Sequence, residues 1–406
     1  MLMISASNNS KDVVISGKRE YLGIGIGGKL NMSFFEDETC AHGGAFFEAI
    51  GETFQTLHRS MQVVNADVLD AWFLPAPGAV QAVQEHLPWL LKTSPPAGSE
   101  GLVQKIAHTR GVPIDSLAIS AGSSSLIYLA FREWLNPQSR VLLLDPTYGE
   151  YAHVLEQVIG CKPERFLLSS FDGFRVDTDA LLARMEQAHF DLVVLVNPNN
   201  PTGQLIPRRV LEPLLAQVPP QTRLWVDEAY IDYVDSAESV ETLAASSDNI
   251  LVCKSLSKGY ALSGARAAYL CGPSPLVRRL RHLTPPWAVG LPTQVAAVAA
   301  LHDPDYYHRC YRETAALRNA LVSKLRQAIP SLRIIEGVAN FILCFLSPEG
   351  PDAATVIARC RLQDIFLRDV GSMGRTLGDH ALRIAVKGSD SNRRIVEALA
   401  AATVVA

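Results

Sequence analysis

No stretch of this sequence approaches the ~20 consecutive apolar residues that a membrane span needs. Its opening, MLMISASNNSKDVVISGKRE, lacks a basic start followed by an apolar core, so neither a secretory leader nor membrane attachment is expected. Seven cysteines are scattered without a single CxxC pair. That argues against a zinc site or a disulfide frame and for the reduced thiols of a cytoplasmic protein. Basic charge is in short supply too: 37 Lys and Arg face 41 Asp and Glu, a formal balance of −4. The chain therefore offers no positive field to nucleic acid, and Arg278, Arg279 and Arg281 read as one solvated helix face. Internal repeats and low-complexity tracts are missing as well. What is present is apolar surface, 48% of 406 residues, enough for several packed layers around a substantial core.

The first forty residues read as an irregular N-terminal extension. Residues 41–95 mix helical patterns with a Pro-rich turn, AWFLPAPGAV, and are expected to join a small domain. Residues 96–290 alternate helical stretches with β-rich runs: RVLLLDP (Arg140–Pro146), DLVVLVNP (Asp191–Pro198), RLWVDEAY (Arg223–Tyr230) and ILVCKSLS (Ile250–Ser257). Runs that are apolar almost throughout are strands covered on both faces. Helical crossovers between them predict an α/β large domain whose mostly parallel sheet is sandwiched by helices. Residues 291–406 carry a long helical pattern, Pro304 to Ala328, then strand-like RIIEG, ANFILCFL and RIAVK before a closing helix. These predict a smaller α+β domain.

In open α/β sheets chemistry gathers beyond the carboxyl ends of the strands. Lys258 lies there in CKSLSKGYALSGAR, among small residues and hydroxyls, with Arg266 eight positions on. A lysine that bonds covalently to a carbonyl must be desolvated and aimed from a rigid strand end. Ser255, Ser257 and Arg266 can together donate several hydrogen bonds to a phosphate. Taken alone, the segment could equally be a surface loop after an ordinary strand. AGSSS (Ala121–Ser125) opens a helical stretch with glycine and serines, which is either a phosphate cradle or a plain cap. Asp227 ends an apolar strand, where a carboxylate is costly to bury without a cationic partner; a protonated pyridine nitrogen is such a partner. Tyr230 could donate to a ring oxygen, the rigid NPNNPTG turn presents an asparagine, and Tyr148 could lie against an aromatic ring. Together these groups describe the binding of pyridoxal 5′-phosphate.

With AGSSS, PTYGEY, NPNNPTG, DEAYIDY, SLSKGYALSGAR and ALRIAVK in that order, the sequence resembles the class I/II aminotransferases of pyridoxal-phosphate fold type I from about Ala41 onward. The resemblance implies that Lys258 forms the covalent link to the cofactor aldehyde and shuttles protons. It also implies that Asp227 pairs with the pyridine nitrogen, Asn200 and Tyr230 contact the ring hydroxyl, and Tyr148 stacks. Ser123, Ser124, Ser255, Ser257 and Arg266 would bind the phosphate, and Arg383 the substrate carboxylate. A homodimer with active sites at the subunit interface is implied too.

Within that family the chain is similar to the histidinol-phosphate aminotransferase and L-threonine-O-3-phosphate decarboxylase branch. AHGG (Ala41–Gly44), PPWAVG, ANFILCFL and LRDVGSMG carry this likeness, which adds His42, Asn340 and Arg368 as substrate-site residues. Three segments depart from the pattern: HGGA for HGGN, LDAWFLPAP (Leu69–Pro77) for an Asn-rich segment, and TSPPAGS (Thr93–Ser99) where a tyrosine usually reaches the partner's cofactor. All three fall where substrate is held.

An aminotransferase acting on a small amino acid or amino-phosphate is the leading expectation. A decarboxylase and a biosynthetic cyclase or lyase are the alternatives, since the bond held perpendicular to the cofactor π-system is the one that breaks. A non-catalytic binder on this fold is disfavoured by the intact Lys258, Asp227 and Arg383. GIGIGG (Gly23–Gly28) follows no strand and reads as a loop. HDPDYYH reads as a helix cap rather than a metal site, and Trp72 and Trp287 as pocket wall or core.

Overall fold

The structure, a computed structural model, describes residues 42–51 and 53–404; the N-terminal forty residues and GIGIGG lie outside the described residues. Seven strands form the central sheet: β1 (Leu117–Ser120), β2 (Val141–Asp145), β3 (Glu164–Leu167), β4 (Leu192–Val196), β5 (Arg223–Asp227), β6 (Ile250–Ser255) and β7 (Ala268–Cys271). Their order is β1-β7-β6-β5-β4-β2-β3. Only β7 runs antiparallel to its neighbours; the other pairings are parallel.

The two faces separate with period two, as side chains on a pleated strand must. Val193, Leu195, Leu224, Val226 and Val252 pack into one apolar cluster. Val194, Val196, Trp225, Leu251 and Cys253 pack into another, together with Leu126, Ile127, Ala130 and Phe131 of the helix Ser123–Trp134. Each central strand is thus buried on both faces, which is why these runs carry almost no polar residues. Strands β1, β3 and β7 fall outside the four expected runs. β3 is a half-exposed edge strand of sequence ERFL, and β1, LAIS, and β7, AYLC, are only four residues long; none leaves a long apolar signature.

A second, antiparallel sheet comprises β8 (Arg333–Ile335), β9 (Phe341–Phe345), β10 (Arg368–Asp369) and β11 (Ala381–Ala385), in the order β10-β11-β9-β8. The expected long helix spans Pro304–Ala328, and Asp303 caps it by accepting from Tyr306 N at 3.2 Å, the capping role read from HDPDYYH. Proline at Pro77 starts the helix Pro77–Lys92 because its fixed φ suits the first helical turn. Among the described residues no helix is long and apolar enough to cross a membrane.

The two sheets meet at a glycine contact. Gly203, φ +70°, closes the NPNNPTG turn, and its carbonyl accepts from Val338 N at 2.9 Å. A Cβ built on Gly337 would lie 2.6 Å from Gly203 Cα, and backbone on both sides cannot yield cheaply. Gly337→Ala should therefore destabilise the protein by about 1–3 kcal/mol through overpacking, read as a lowered urea midpoint with unchanged slope; an unchanged midpoint would mean the junction is loose.

Candidate active site

Parallel strands bring their carboxyl ends to one edge of the sheet, and the motif residues follow them there. Lys258 sits in the short helix Leu256–Gly259 immediately after β6. Its backbone is clamped by two phenols: Tyr233 donates to the Lys258 carbonyl at 2.8 Å and Tyr311 to the Gly259 carbonyl at 3.0 Å. Burial pushes the Lys258 amine below its ordinary pKa, against the opposing pull of Asp70. The Nζ lies 3.3 Å from Asp70 Oδ1.

Asp227, on the neighbouring strand end, is buried. Its Oδ2 accepts from Tyr151 Oη at 2.7 Å, its Oδ1 from Ala229 N at 2.9 Å, and Trp225 Nε1 donates to Tyr151 Oη at 2.9 Å. Burial raises its pKa to about 6, while the Tyr151 and Ala229 hydrogen bonds favour the charged form. Such a carboxylate accepts a cationic partner readily.

The helix Ser123–Trp134 points its N-terminus at Arg266. Gly122, φ +96°, lies directly against Arg266: a Cβ there would be 2.4 Å from Nη2, and the positive φ itself favours glycine. Arg266 itself holds φ +58°, a conformation that costs a non-glycine residue energy and recurs at ligand clamps. Ser255 Oγ accepts from Ser257 N at 3.2 Å. Ser257 Oγ is buried and has no hydrogen-bond partner among the described residues. A guanidinium, an orphaned hydroxyl and a helix N-terminus are what a phosphate requires. Ser123 stands at the helix start beside them. The Ser124 hydroxyl is turned instead to Glu150 Oε2, at 3.0 Å.

Tyr230 Oη and Asn200 Nδ2 converge at 3.4 Å, and Asn200 Oδ1 accepts from Arg383 Nη1 at 2.7 Å. Arg383 Nη2 donates to the Asp67 carbonyl at 2.9 Å, while its Nε is buried and has no hydrogen-bond partner among the described residues. Burial lowers the Arg383 pKa to about 10, so the guanidinium remains charged at neutral pH. Arg368 is the register partner of Arg383 across β10 and β11, with Nη1 3.7 Å from Asp67 Oδ1. Asn340 donates to the Leu69 carbonyl at 3.0 Å and leaves its Oδ1 unbonded. Tyr148 Oη lies 3.1 Å from Nε2 of the exposed His42, whose ring is also 3.6 Å from Glu150.

The structure thus brings the expected residues to one edge, with Ser124 engaged elsewhere. It adds residues that sequence reasoning missed: Tyr151 under Asp227, Asp67 between the two arginines, and Asp70 with Lys387 beside Lys258. Tyr151 stands inside the quoted PTYGEY and Asp70 inside the aberrant LDAWFLPAP, so each motif held a signal that was not used. The orphaned Ser257 hydroxyl, the glycine beneath Arg266 and the buried Asp227 together fit pyridoxal 5′-phosphate.

Tyr151→Phe removes a hydrogen bond to a charged acceptor, worth about 1.5–3 kcal/mol, or roughly one to two pH units. The sign is fixed: losing a bond that favours the anion moves the Asp227 pKa further above about 6. The acid limb of pyridoxal-phosphate uptake, followed by absorbance, should move up by about one unit. An unmoved limb would show that Tyr151 does not tune Asp227.

A family model described as aminotransferase class I and II matches residues 69–399. Histidinol-phosphate aminotransferase of Rhodopseudomonas palustris (strain BisB18) is 29% identical over 334 residues, covering 81% of this chain and 88% of that protein. Histidinol-phosphate aminotransferase from Sinorhizobium meliloti, solved in complex with pyridoxal-5′-phosphate, superimposes with a TM-score of 0.75 at 19% identity, covering 90% of this chain and 99% of that one. L-threonine-O-3-phosphate decarboxylase from Porphyromonas gingivalis gives 0.73 at 19%, covering 83% and 98%. At such identity these two structures speak for the fold. By the match across residues 69–399 the chain belongs to the class I and II aminotransferase family, and it is a pyridoxal-phosphate-dependent enzyme.

Proposed function

We propose that the protein transfers the amino group of a small amine bearing an anionic group, an amino acid or an amino-phosphate of the histidinol-phosphate kind, to a keto acid. The observation that carries this reading is that Lys258 and Asp227, at the carboxyl ends of β6 and β5, meet the Arg383–Arg368 pair of the four-stranded sheet, with Arg383 bonded to Asn200. Two arginines in register on one sheet face call for an anionic ligand, and Arg383 reaches it already oriented by Asn200 and the Asp67 carbonyl.

The residues divide the work. Arg383, with one buried nitrogen unbonded, grips the substrate carboxylate, and Arg368 meets a second anionic group. Lys258 Nζ, its basicity moderated by burial, is placed to take up the proton released from the substrate α-carbon. Asp227 would hold the ring nitrogen in its protonated form, and Tyr148, Tyr230 and Asn200 would hold the ring. Ser123, Ser255, Ser257 and Arg266 anchor the phosphate. The cofactor, when bound, supplies the electron sink for the charge that develops at the α-carbon.

The division of the chain near residues 95 and 290 into a large and a small domain is part of the same reading, supported by the separate seven- and four-stranded sheets. So is a cytoplasmic location, in keeping with six described cysteines that are all free and buried. A homodimer is supported by large apolar side chains left exposed: Trp89, Leu91 and Trp287 at 53%, 71% and 57%. Trp287 N is bonded to the Ala97 carbonyl at 3.0 Å, which joins PPWAVG to TSPPAGS. Sedimentation should give twice the chain mass; a monomer at micromolar concentration would remove the dimer from this reading.

The decisive assay incubates the purified enzyme with candidate amines. Keto acid and pyridoxamine phosphate should accumulate together, while carbon dioxide release with unchanged cofactor would favour decarboxylation instead. Lys258→Ala should lose both the visible absorbance and turnover, and residual turnover at wild-type rate would refute its role.

A further inference from the structure

Asp70 occupies a position that the function has not used. It lies in LDAWFLPAP, and its carboxylate is oriented by what surrounds it: Oδ1 is 3.3 Å from Lys258 Nζ and Oδ2 is 3.4 Å from Asn65 Nδ2. The backbone that carries it is pinned to the four-stranded sheet. Ala385 N donates to the Ala66 carbonyl at 3.1 Å, Arg383 to that of Asp67 at 2.9 Å, Asn340 to that of Leu69 at 3.0 Å, and Lys387 Nζ to that of Asp70 at 2.9 Å. On its other side the Trp72 indole donates to Thr314 at 2.8 Å. A side chain held this way faces Lys258 without further rearrangement.

We propose that Asp70 is a positioning residue that sets the protonation of the Lys258 nitrogen, with Lys387 as the counter-charge that keeps Asp70 anionic. The proposal rests on the reading that Lys258 carries the cofactor. An anion so close favours the charged form of the nitrogen. A protonated nitrogen makes the carbon joined to it more open to attack by the incoming substrate amine. Asp70 therefore keeps the enzyme in its reactive form across neutral pH.

The surrounding charges are consistent in sign. Burial tends to raise the Asp70 pKa, yet Lys258, the Ser263 hydroxyl and Lys387 bring it below the ordinary value. Lys387 is buried and its pKa falls to about 8, with Asp70 opposing that fall and Lys258 adding to it. Arg383 and Arg266 also face Lys258 and favour its neutral form. Tyr230, whose own pKa burial raises, faces Asp70 with Asp227 behind it. Asp70 is thus the anion that offsets three neighbouring cations at the reactive nitrogen.

The test is a pH titration of the visible cofactor band in the loaded protein, with Asp70→Asn compared to wild type. The midpoint should fall by about one to three pH units, the range for removal of a close opposite charge, and Asp70→Glu should restore most of it. A midpoint unmoved in a fully loaded Asp70→Asn protein overturns the proposal; Asp70→Ser serves if that variant does not fold. The same comparison in the cofactor-free protein follows the pH dependence of Lys258 labelling by an amine-specific reagent. If the wild type takes up no pyridoxal phosphate, the functional reading fails. The labelling midpoint still decides the role of Asp70: a downward move in Asp70→Asn supports it and coincident curves overturn it.

Discussion

Beneath the reactive lysine lies a buried cluster of two cations and three carboxylates on which the position of the site depends. Lys254 Nζ is 3.0 Å from Glu241, 3.5 Å from Glu228 and 3.6 Å from Asp232, and Arg110 is 3.2 Å from Asp232. Lys254 precedes Lys258 by one helical turn's worth of chain, and Glu228 follows Asp227 directly. The cluster therefore ties the ends of β5 and β6 together at the point where each presents its functional residue. Removing one partner of a buried ion pair costs about 3–5 kcal/mol, because the other is left uncompensated. The formal sum is one negative charge in excess. Burial raises the Glu228 pKa, against the opposing pull of Lys254 and of the hydrogen bonds that Glu228 accepts from the Ser239 hydroxyl and Val240 N.

Strand geometry assigns Asp227 and Glu228 to different tasks. Successive side chains on β5 face opposite ways. Asp227 shares its face with Trp225, beside Tyr151, whereas Glu228 turns toward Lys254. Adjacent carboxylates thus serve separately, one at the site and one in the frame. Both are desolvated, but the cluster supplies Glu228 with the Lys254 cation, while among the described residues Asp227 accepts from neutral donors, Tyr151 and Ala229 N. Asp227 is the carboxylate left with charge to be matched by a ligand.

Much of this was legible in the chain. Apolar runs at Val141–Asp145, Leu192–Val196 and Ile250–Ser255 are read as buried strands because helices cover both faces, and composition records that directly. The helix Pro304–Ala328 is equally plain, long and capped at Asp303. The motif residues after those strands are legible for the same reason: topology carries them to one edge. The residues that were missed reach the site by distant contacts. Asp70 meets Lys258 across 188 positions and Asp67 meets Arg383 across 316, and no local pattern encodes such pairings. A departure from a familiar motif was visible at LDAWFLPAP, but its meaning required knowing what stood opposite.

The arginine pair shows what such distant contacts accomplish. Arg368 and Arg383 face each other across antiparallel strands, where like charges repel. Asp67 relieves that repulsion from within the chain. Its carbonyl accepts from Arg383, its Oδ2 accepts from Gly44 N at 2.7 Å, and its Oδ1 lies 3.7 Å from Arg368. At that last distance the carboxylate attracts Arg368 through charge, and among the described residues the oxygen is buried without a hydrogen-bond partner. The chain's own counter-charge therefore offsets the repulsion within the pair. An incoming anion gains charge-assisted hydrogen bonds at Arg383, whose Nε is buried and without a hydrogen-bond partner among the described residues. Because Asp67 also anchors the segment after His42, filling the arginine pair and ordering that rim of the site draw on the same residue.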